Sequence, residues 1–261
     1  SANTYLDPTK FKFIPAFATD NPHLDQTYYD RLNALPDKLR RPYLGDWYCF
    51  EGQFFDQWRK ELHVIEPFDI PDSWVKWGCV DYGYSAPFAY YGIAQDNDAR
   101  RYVYREIYES GLTASDQAWK IRDANKDDSL RYILCDPSMF SKTPGPMKLP
   151  ADYYREAGLN VIPANNDRLK GWNNLRSALQ VREDSLPGLQ VFSTCKNLIR
   201  TLPALVHDDG RPEDLDTDME DHAADALRYG LMMARVGTYQ KNNVTKALYA
   251  MPRSALGGSY A

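Results

Sequence analysis

Trp74-Val75-Lys76-Trp77-Gly78-Cys79-Val80-Asp81-Tyr82-Gly83 is the stretch on which the fold turns. It reads as a strand that ends on an acid, followed by a glycine that lets the chain turn sharply. Two further strands are expected downstream, Phe88 to Ala94 and Arg101 to Tyr108, the second with clean period-2 alternation. The links between them, 82–87 and 95–100, are short, so an antiparallel meander is expected.

Beyond the meander, helix and strand signals alternate. Thr113 is placed to N-cap a helix running to about Asn125. Arg131 to Asp136 is an apolar run expected to be a buried strand. A helix over Ala151–Ala157 is closed by Gly158, and Asn160–Pro163 is a further short strand. A long helix is expected from Gly171 to Glu183, a strand over Leu189–Phe192 and a short helix over Cys195–Leu202. The last strong element is a helix from Met219 to Arg235. Antiparallel strands followed by alternating helix and strand give an α/β mixed sheet with helices on both faces. That is the element order of a ribonuclease-H-like fold.

The flanks differ from this centre. Residues 1–70 carry recurrent prolines and dense aromatics around one expected helix, Asp25 to Leu35, ended by Pro36. They are expected to form an extension that packs on a neighbouring domain. Residues 71–237 form the expected catalytic domain, and 238–261 an expected mobile tail. The N-terminal twenty residues lack the order of a signal peptide, and Ser1-Ala2 suggests a piece of a longer protein. No apolar run reaches the roughly 18 residues of a membrane span, so no membrane partner is expected. The four cysteines form no C-x-x-C pair and are expected to be reduced, buried thiols.

Net charge is −5, which argues against a coat of bound nucleic acid but not against an enzyme that meets it transiently. The charge is segregated. Glu213 to Asp225 holds seven acids and no base, whereas Arg168 to Arg200 holds six bases against two acids. Acids beside bases suit a site where cations and a phosphate backbone meet, and equally suit two solvated faces.

Three acids stand out by position. Asp81 ends the first sheet strand and Asp136 ends the next long buried one. If these strands are neighbours, their carboxylates emerge roughly 4.7–4.9 Å apart, close enough to share a cation. The third element is Asp221-His222-Ala223-Ala224-Asp225-Ala226-Leu227-Arg228-Tyr229. On one helix Asp221, His222 and Asp225 would share a face, with small apolar residues on the other. Arg228 can instead pair with Asp225, a purely structural role.

Trp77 to Gly83, Ile133-Leu134-Cys135-Asp136-Pro137 and Asp221 to Tyr229 together resemble the nuclease motifs of the large terminase subunit of tailed bacteriophages. Phe13-Ile14-Pro15-Ala16, Asp20-Asn21-Pro22 and Leu44-Gly45-Asp46-Trp47 resemble the segment that joins that family's ATPase to its nuclease. The resemblance covers most of residues 11–236. It implies a ribonuclease-H-like, metal-dependent endonuclease that cuts concatemeric double-stranded viral DNA during genome packaging. It implies that Asp81, Asp136 and Asp225 are the catalytic, metal-holding residues, with Asp221 and His222 either ligating directly or sitting behind the ligands. The chemistry expected is two-metal phosphodiester hydrolysis with Mg²⁺ or Mn²⁺, which suit carboxylate ligands.

Arg168, Lys170 and Arg176 are the expected DNA-binding residues, gripping phosphate; solvated charge is the alternative. The chain has no G-x-x-x-x-G-K-[ST] phosphate loop, so it is expected to be the nuclease part alone. Partners implied by the resemblance are DNA, the ATPase domain of the same subunit, the small terminase subunit and the portal, in the host cell cytoplasm. Rival readings are another nuclease of this fold, such as a transposase, integrase or junction resolvase, a DNA- or portal-binding module with a weak metal site, and a structural Ca²⁺-binding protein.

Overall fold

The computed structural model describes residues 21–34, 52–141 and 148–232. The chain forms two compact units, 59–199 with 222–261, and 1–58 with 200–221.

The larger unit is built on one seven-stranded sheet. Its elements in chain order are helix α2 (Lys60–His63; α1 lies in the other unit), β1 (Val64–Ile65), β2 (Val75–Asp81), β3 (Phe88–Gln95), β4 (Arg101–Glu109), α3 (Ala114–Ala124), β5 (Leu130–Cys135), α4 (Pro150–Glu156), β6 (Val161–Pro163), α5 (Arg168–Leu179), β7 (Leu189–Phe192), α6 (Lys196–Thr201) and α7 (His222–Met232). The strand order is β1-β7-β4-β3-β2-β5-β6. β2, β3 and β4 form the antiparallel meander; β5, β6, β7 and β1 add to it in parallel. The centre is buried on both sides, and every residue of β3 is buried. Central strands covered on both faces are therefore apolar throughout rather than alternating.

One face is closed by α3 and α4. Val80, Phe88, Tyr90 and Ile133 meet Ala118, Ile121, Ala151 and Tyr154 in a dry core. The start of α3 is fixed by a reciprocal cap between Thr113 and Asp116. The opposite face is covered by α7, with α5 against it. Trp77 Nε1 donates to the Gly230 carbonyl at 3.0 Å. A Cβ on Gly230 would lie 2.6 Å from Ile93 Cδ1 and 2.7 Å from Cys79 Sγ, so only glycine lets α7 approach this closely. Cys79, Cys135 and Cys195 are free thiols, buried as expected, and burial pushes each above its ordinary pKa.

The smaller unit, taken by itself, holds α1 (Gln26–Asn33) and a short bridge between Gln53 and Val206, with Phe54 N–H donating to the Leu205 carbonyl at 2.8 Å. Phe54 packs edge-on to Phe55 and against the His207 ring. Arg200 pairs with Glu220 at 2.7 Å.

Several expectations shift. The larger unit begins before residue 71, because β1 pairs with β7 and so belongs to the sheet. The long helix begins earlier, at Arg168, because Asp167 accepts the Lys170 N–H and caps it. It stops at Leu179 rather than reaching Glu183, where Val181 instead bridges to Pro187. The last helix starts at His222, not Met219; the acidic run before it is loop, with Asp216 accepting the Asp218 N–H. Pro36, residues 233–237 and the tail from 238 lie outside the described residues.

Candidate metal centre

The centre rests on strand pairing. β2 and β5 are parallel neighbours in which Val80 pairs with Cys135, and the Asp136 N–H donates to the Val80 carbonyl at 3.0 Å. Asp81 and Asp136 thus leave adjacent strands at the same end of the sheet. Trp77 and Cys79 face α7, and by period 2 so does Asp81. There His222, the first residue of α7, places Nδ1 3.1 Å from Asp81 Oδ2. Asp225 follows one turn later on the same helix.

Asp81 is the most enclosed of the three acids, at 8% exposure. Its carboxyl is raised to about 6, chiefly by burial; the His222 contact works against that rise, and the nearby negative charges of Asp225 and Asp136 add to it. Three carboxylates within electrostatic reach of one another, one of them largely out of water, suit an oxygen-ligated divalent cation. Tyr229, on the next turn of α7 and nearly buried, also feels the charges of Asp136, Asp225 and Asp81, and its phenol is held above its ordinary pKa chiefly by burial.

Each carboxylate is also engaged locally. Asp136 Oδ1 accepts the Ser138 N–H at 2.8 Å and Oδ2 the Ser138 hydroxyl at 2.7 Å, capping a short 3₁₀ turn. Asp225 Oδ1 accepts from Arg228, and Oδ2 faces Arg168 Nη1 at 3.4 Å. Accordingly, among the described residues no three Asp, Glu, His or Cys side chains converge on one point as they stand. The donor chemistry fits a hard divalent ion; the present rotamers spread the donors among separate partners.

Asp221 is not on the helix with Asp225. It lies just before α7 in sequence, buried, and falls in the other compact unit. The shared helical face expected for Asp221, His222 and Asp225 therefore holds for His222 and Asp225 only. Of the expected phosphate contacts, Arg168 and Arg176 are two turns apart on one side of α5, with Trp172 between them. Lys170 projects from a different side and is exposed. Arg182 and Arg200, also in the basic stretch, are committed elsewhere: Arg182 donates to the Asp98 and Ala99 carbonyls, and Arg200 pairs with Glu220. The sequence reading misses how deeply Arg228 is buried and that Tyr229 faces the acids. The second has a signal, since Tyr229 is four residues after Asp225 and shares its face.

The fold is shared with solved phage proteins. The nuclease domain of the P22 large terminase superposes with a TM-score of 0.59 at 23% identity, covering 72% of this chain and 95% of that one. The large terminase of a thermophilic bacteriophage, solved in complex with ADP, gives 0.61 at 23% identity over 84% of this chain. This chain spans 54% of that protein's length. The large terminase nuclease of thermophilic phage G20c gives 0.51 at 13% identity with bound cobalt, covering 70% of this chain and 98% of that one. The same nuclease with bound magnesium gives 0.50 at 14% identity, over 69% and 98%. No family model and no curated protein sequence matches the chain. The likenesses establish the ribonuclease-H-like fold of these nuclease domains.

Proposed function

We propose that the chain is the nuclease part of a phage large terminase, a metal-dependent endonuclease that cuts concatemeric double-stranded DNA during packaging. The observation that carries this reading is the emergence of Asp81 and Asp136 from adjacent parallel strands, with Asp225 presented by α7. The fold shared with terminase nucleases, one of them solved with cobalt and with magnesium, supports it. An ATPase domain in the same subunit, the small terminase subunit and the portal are the proposed partners, and the host cytoplasm the proposed location. Among the described residues no helix is long and apolar enough to cross a membrane.

Asp81, Asp136 and Asp225 would hold two Mg²⁺ or Mn²⁺ ions. Such ions supply an activated water, charge neutralisation on the phosphoryl oxygens and stabilisation of the departing 3′ oxygen. His222 contributes from the protein side: its contact with Asp81 Oδ2 fixes that carboxylate's orientation. Arg168 is placed to exchange its long contact with Asp225 for a DNA phosphate, Arg176 extends that contact along the same side of α5, and Lys170 would meet phosphate from another side of the helix. Asp221, which precedes α7 rather than lying on it, is the less favoured third ligand.

The test is nicking of a supercoiled plasmid. Cleavage with Mn²⁺ or Mg²⁺, abolished by EDTA and with little sequence preference, is expected. Robust cutting in excess EDTA contradicts the reading.

A further inference from the structure

Asp225 is held from behind by a buried arginine. Arg228 Nε donates to Asp225 Oδ1 at 2.7 Å, and Arg228 Nη2 turns to Asn166 Oδ1 at 3.2 Å. One hydrogen bond therefore joins the two side chains. The other carboxylate oxygen, Oδ2, faces Arg168 Nη1 at 3.4 Å.

That bond has a set direction, because the groups around the guanidinium hold it. The Arg228 side chain is 1% exposed. Its guanidinium lies over the Trp172 ring at 5.0 Å and the Tyr229 ring at 4.4 Å. Its stem runs across Gly171 of α5, where a Cβ would sit 2.4 Å from Arg228 Cγ and 2.6 Å from Cδ. With the stem seated on α5 and the guanidinium packed on two rings, the Nε–H is aimed at Oδ1.

Stability does not account for this arrangement. A glycine inside α5 weakens that helix relative to alanine. Arg228 Nη1 is buried with no hydrogen-bond partner among the described residues, and a buried donor left unpaired is unfavourable. A buried ion pair is itself weak evidence of stability, since apolar side chains of similar volume often do as well. What the arrangement does supply is an orientation for Asp225. The last torsion of an aspartate is broad, so a carboxylate turns unless something holds one of its oxygens. We propose that Arg228 is a positioning residue of the metal centre: through its hydrogen bond to Oδ1 it fixes the Asp225 carboxylate so that Oδ2 is the oxygen offered to a cation. This rests on the reading of Asp225 as a cation ligand, and it ties that ligand to the seating of α7 on α5.

The test is calorimetric titration of the whole chain with MnCl₂, alongside thermal melts. The proteins are wild type, Arg228→Met, Asn166→Ala, Asp225→Asn, and Arg228→Met combined with Asp225→Asn. Arg228→Met fills the space without a donor. Its Mn²⁺ affinity should fall about tenfold, the scale seen when a group behind a metal ligand is lost. The sign separates positioning from charge: a guanidinium acting only by its charge would repel the ion, and its removal would raise the affinity. A purely structural role would lower the melting temperature and leave the affinity of the folded protein alone. Asn166→Ala, at an exposed position, frees Nη2 and should lower the affinity by a smaller factor; it carries the test if the methionine variant does not fold. In the Asp225→Asn background, Arg228→Met should change the affinity no further, because the arginine acts through that carboxylate. An unchanged or raised affinity in the folded single variants at Arg228 and Asn166 overturns the role of Arg228, and so does a further loss in the double variant. Mn²⁺ binding by Asp225→Asn at wild-type strength instead overturns the reading of Asp225 as a ligand.

Discussion

Val80 and Asp81 are adjacent in sequence and face opposite sides of the sheet. On the Val80 side, α3 and α4 close a dry core in which the polar groups have partners. Gln117 takes the Tyr154 hydroxyl at 2.8 Å and donates to the Gly83 and Leu112 carbonyls. On the Asp81 side, α7 brings His222, Asp225 and Arg228 to the strand ends, and charge dominates. The difference separates two uses of burial. One side gains stability by removing apolar area from water. The other keeps carboxylates where their ionisation is costly, an arrangement that favours whatever cation meets them.

The sharpest way to break this contrast is to remove charge at Asp81. Asp81→Asn should reduce metal-dependent nicking by more than about a hundredfold, because an amide of the same shape cannot neutralise divalent charge. Circular dichroism should be unchanged. Activity within a few-fold of wild type moves the chemistry off this side of the sheet.

Asp225 and Asp81 should then differ in stability. Asp225→Asn leaves the buried Arg228 guanidinium without its carboxylate, and breaking a buried pair in this way costs about 3–5 kcal/mol. It should also lose nicking activity, whereas Asp221→Asn stays near wild type. If Asp221→Asn is dead and Asp225→Asn nearly normal, the third ligand is reversed.

The dry side should respond in stability alone. Ile121→Ala removes fully buried methyl groups and should cost about 2–5 kcal/mol in urea unfolding. Its activity per folded molecule should match wild type. A large loss of specific activity without unfolding would show that the two sides are not independent.

The smallest effect has the opposite sign. Asp81 has a folded pKa of about 6, raised from 3.8, so between those values the native state binds more protons than the unfolded one. Stability therefore falls as pH rises through that window, and the cost is fully present above it. Without added cation, Asp81→Asn should melt higher than wild type at pH 7.5, by about 2–4 °C for each kcal/mol relieved. The gap should close near pH 4. A gap that is constant with pH would assign the effect to packing rather than to charge.

Much of this is readable from residues alone. Thr113 signals its helix because the cap chemistry is local, and the apolar run Leu189–Phe192 marks the bounds of its strand. The β2–β5 adjacency is an assumption at the level of sequence, since pairing of distant strands leaves no local mark; the register bears it out. Helix α5 is misplaced by sequence because Gly171 looks like a start. Its glycine answers instead to Arg228, 57 residues away, a contact no local pattern carries. Extending the i,i+4 spacing puts Asp221 on a helix, through an acidic run whose backbone in fact turns on its own aspartates. The pairing of Arg228 with Asp225 is readable from their spacing, but its burial is not, because a charged residue in sequence gives no sign of being buried.

The most direct measurement of the central claim is anomalous diffraction from a crystal soaked in Mn²⁺. Manganese peaks ligated by Asp81, Asp136 and Asp225 are expected. Manganese absent from these three residues but bound along the 213–221 acidic loop would contradict it.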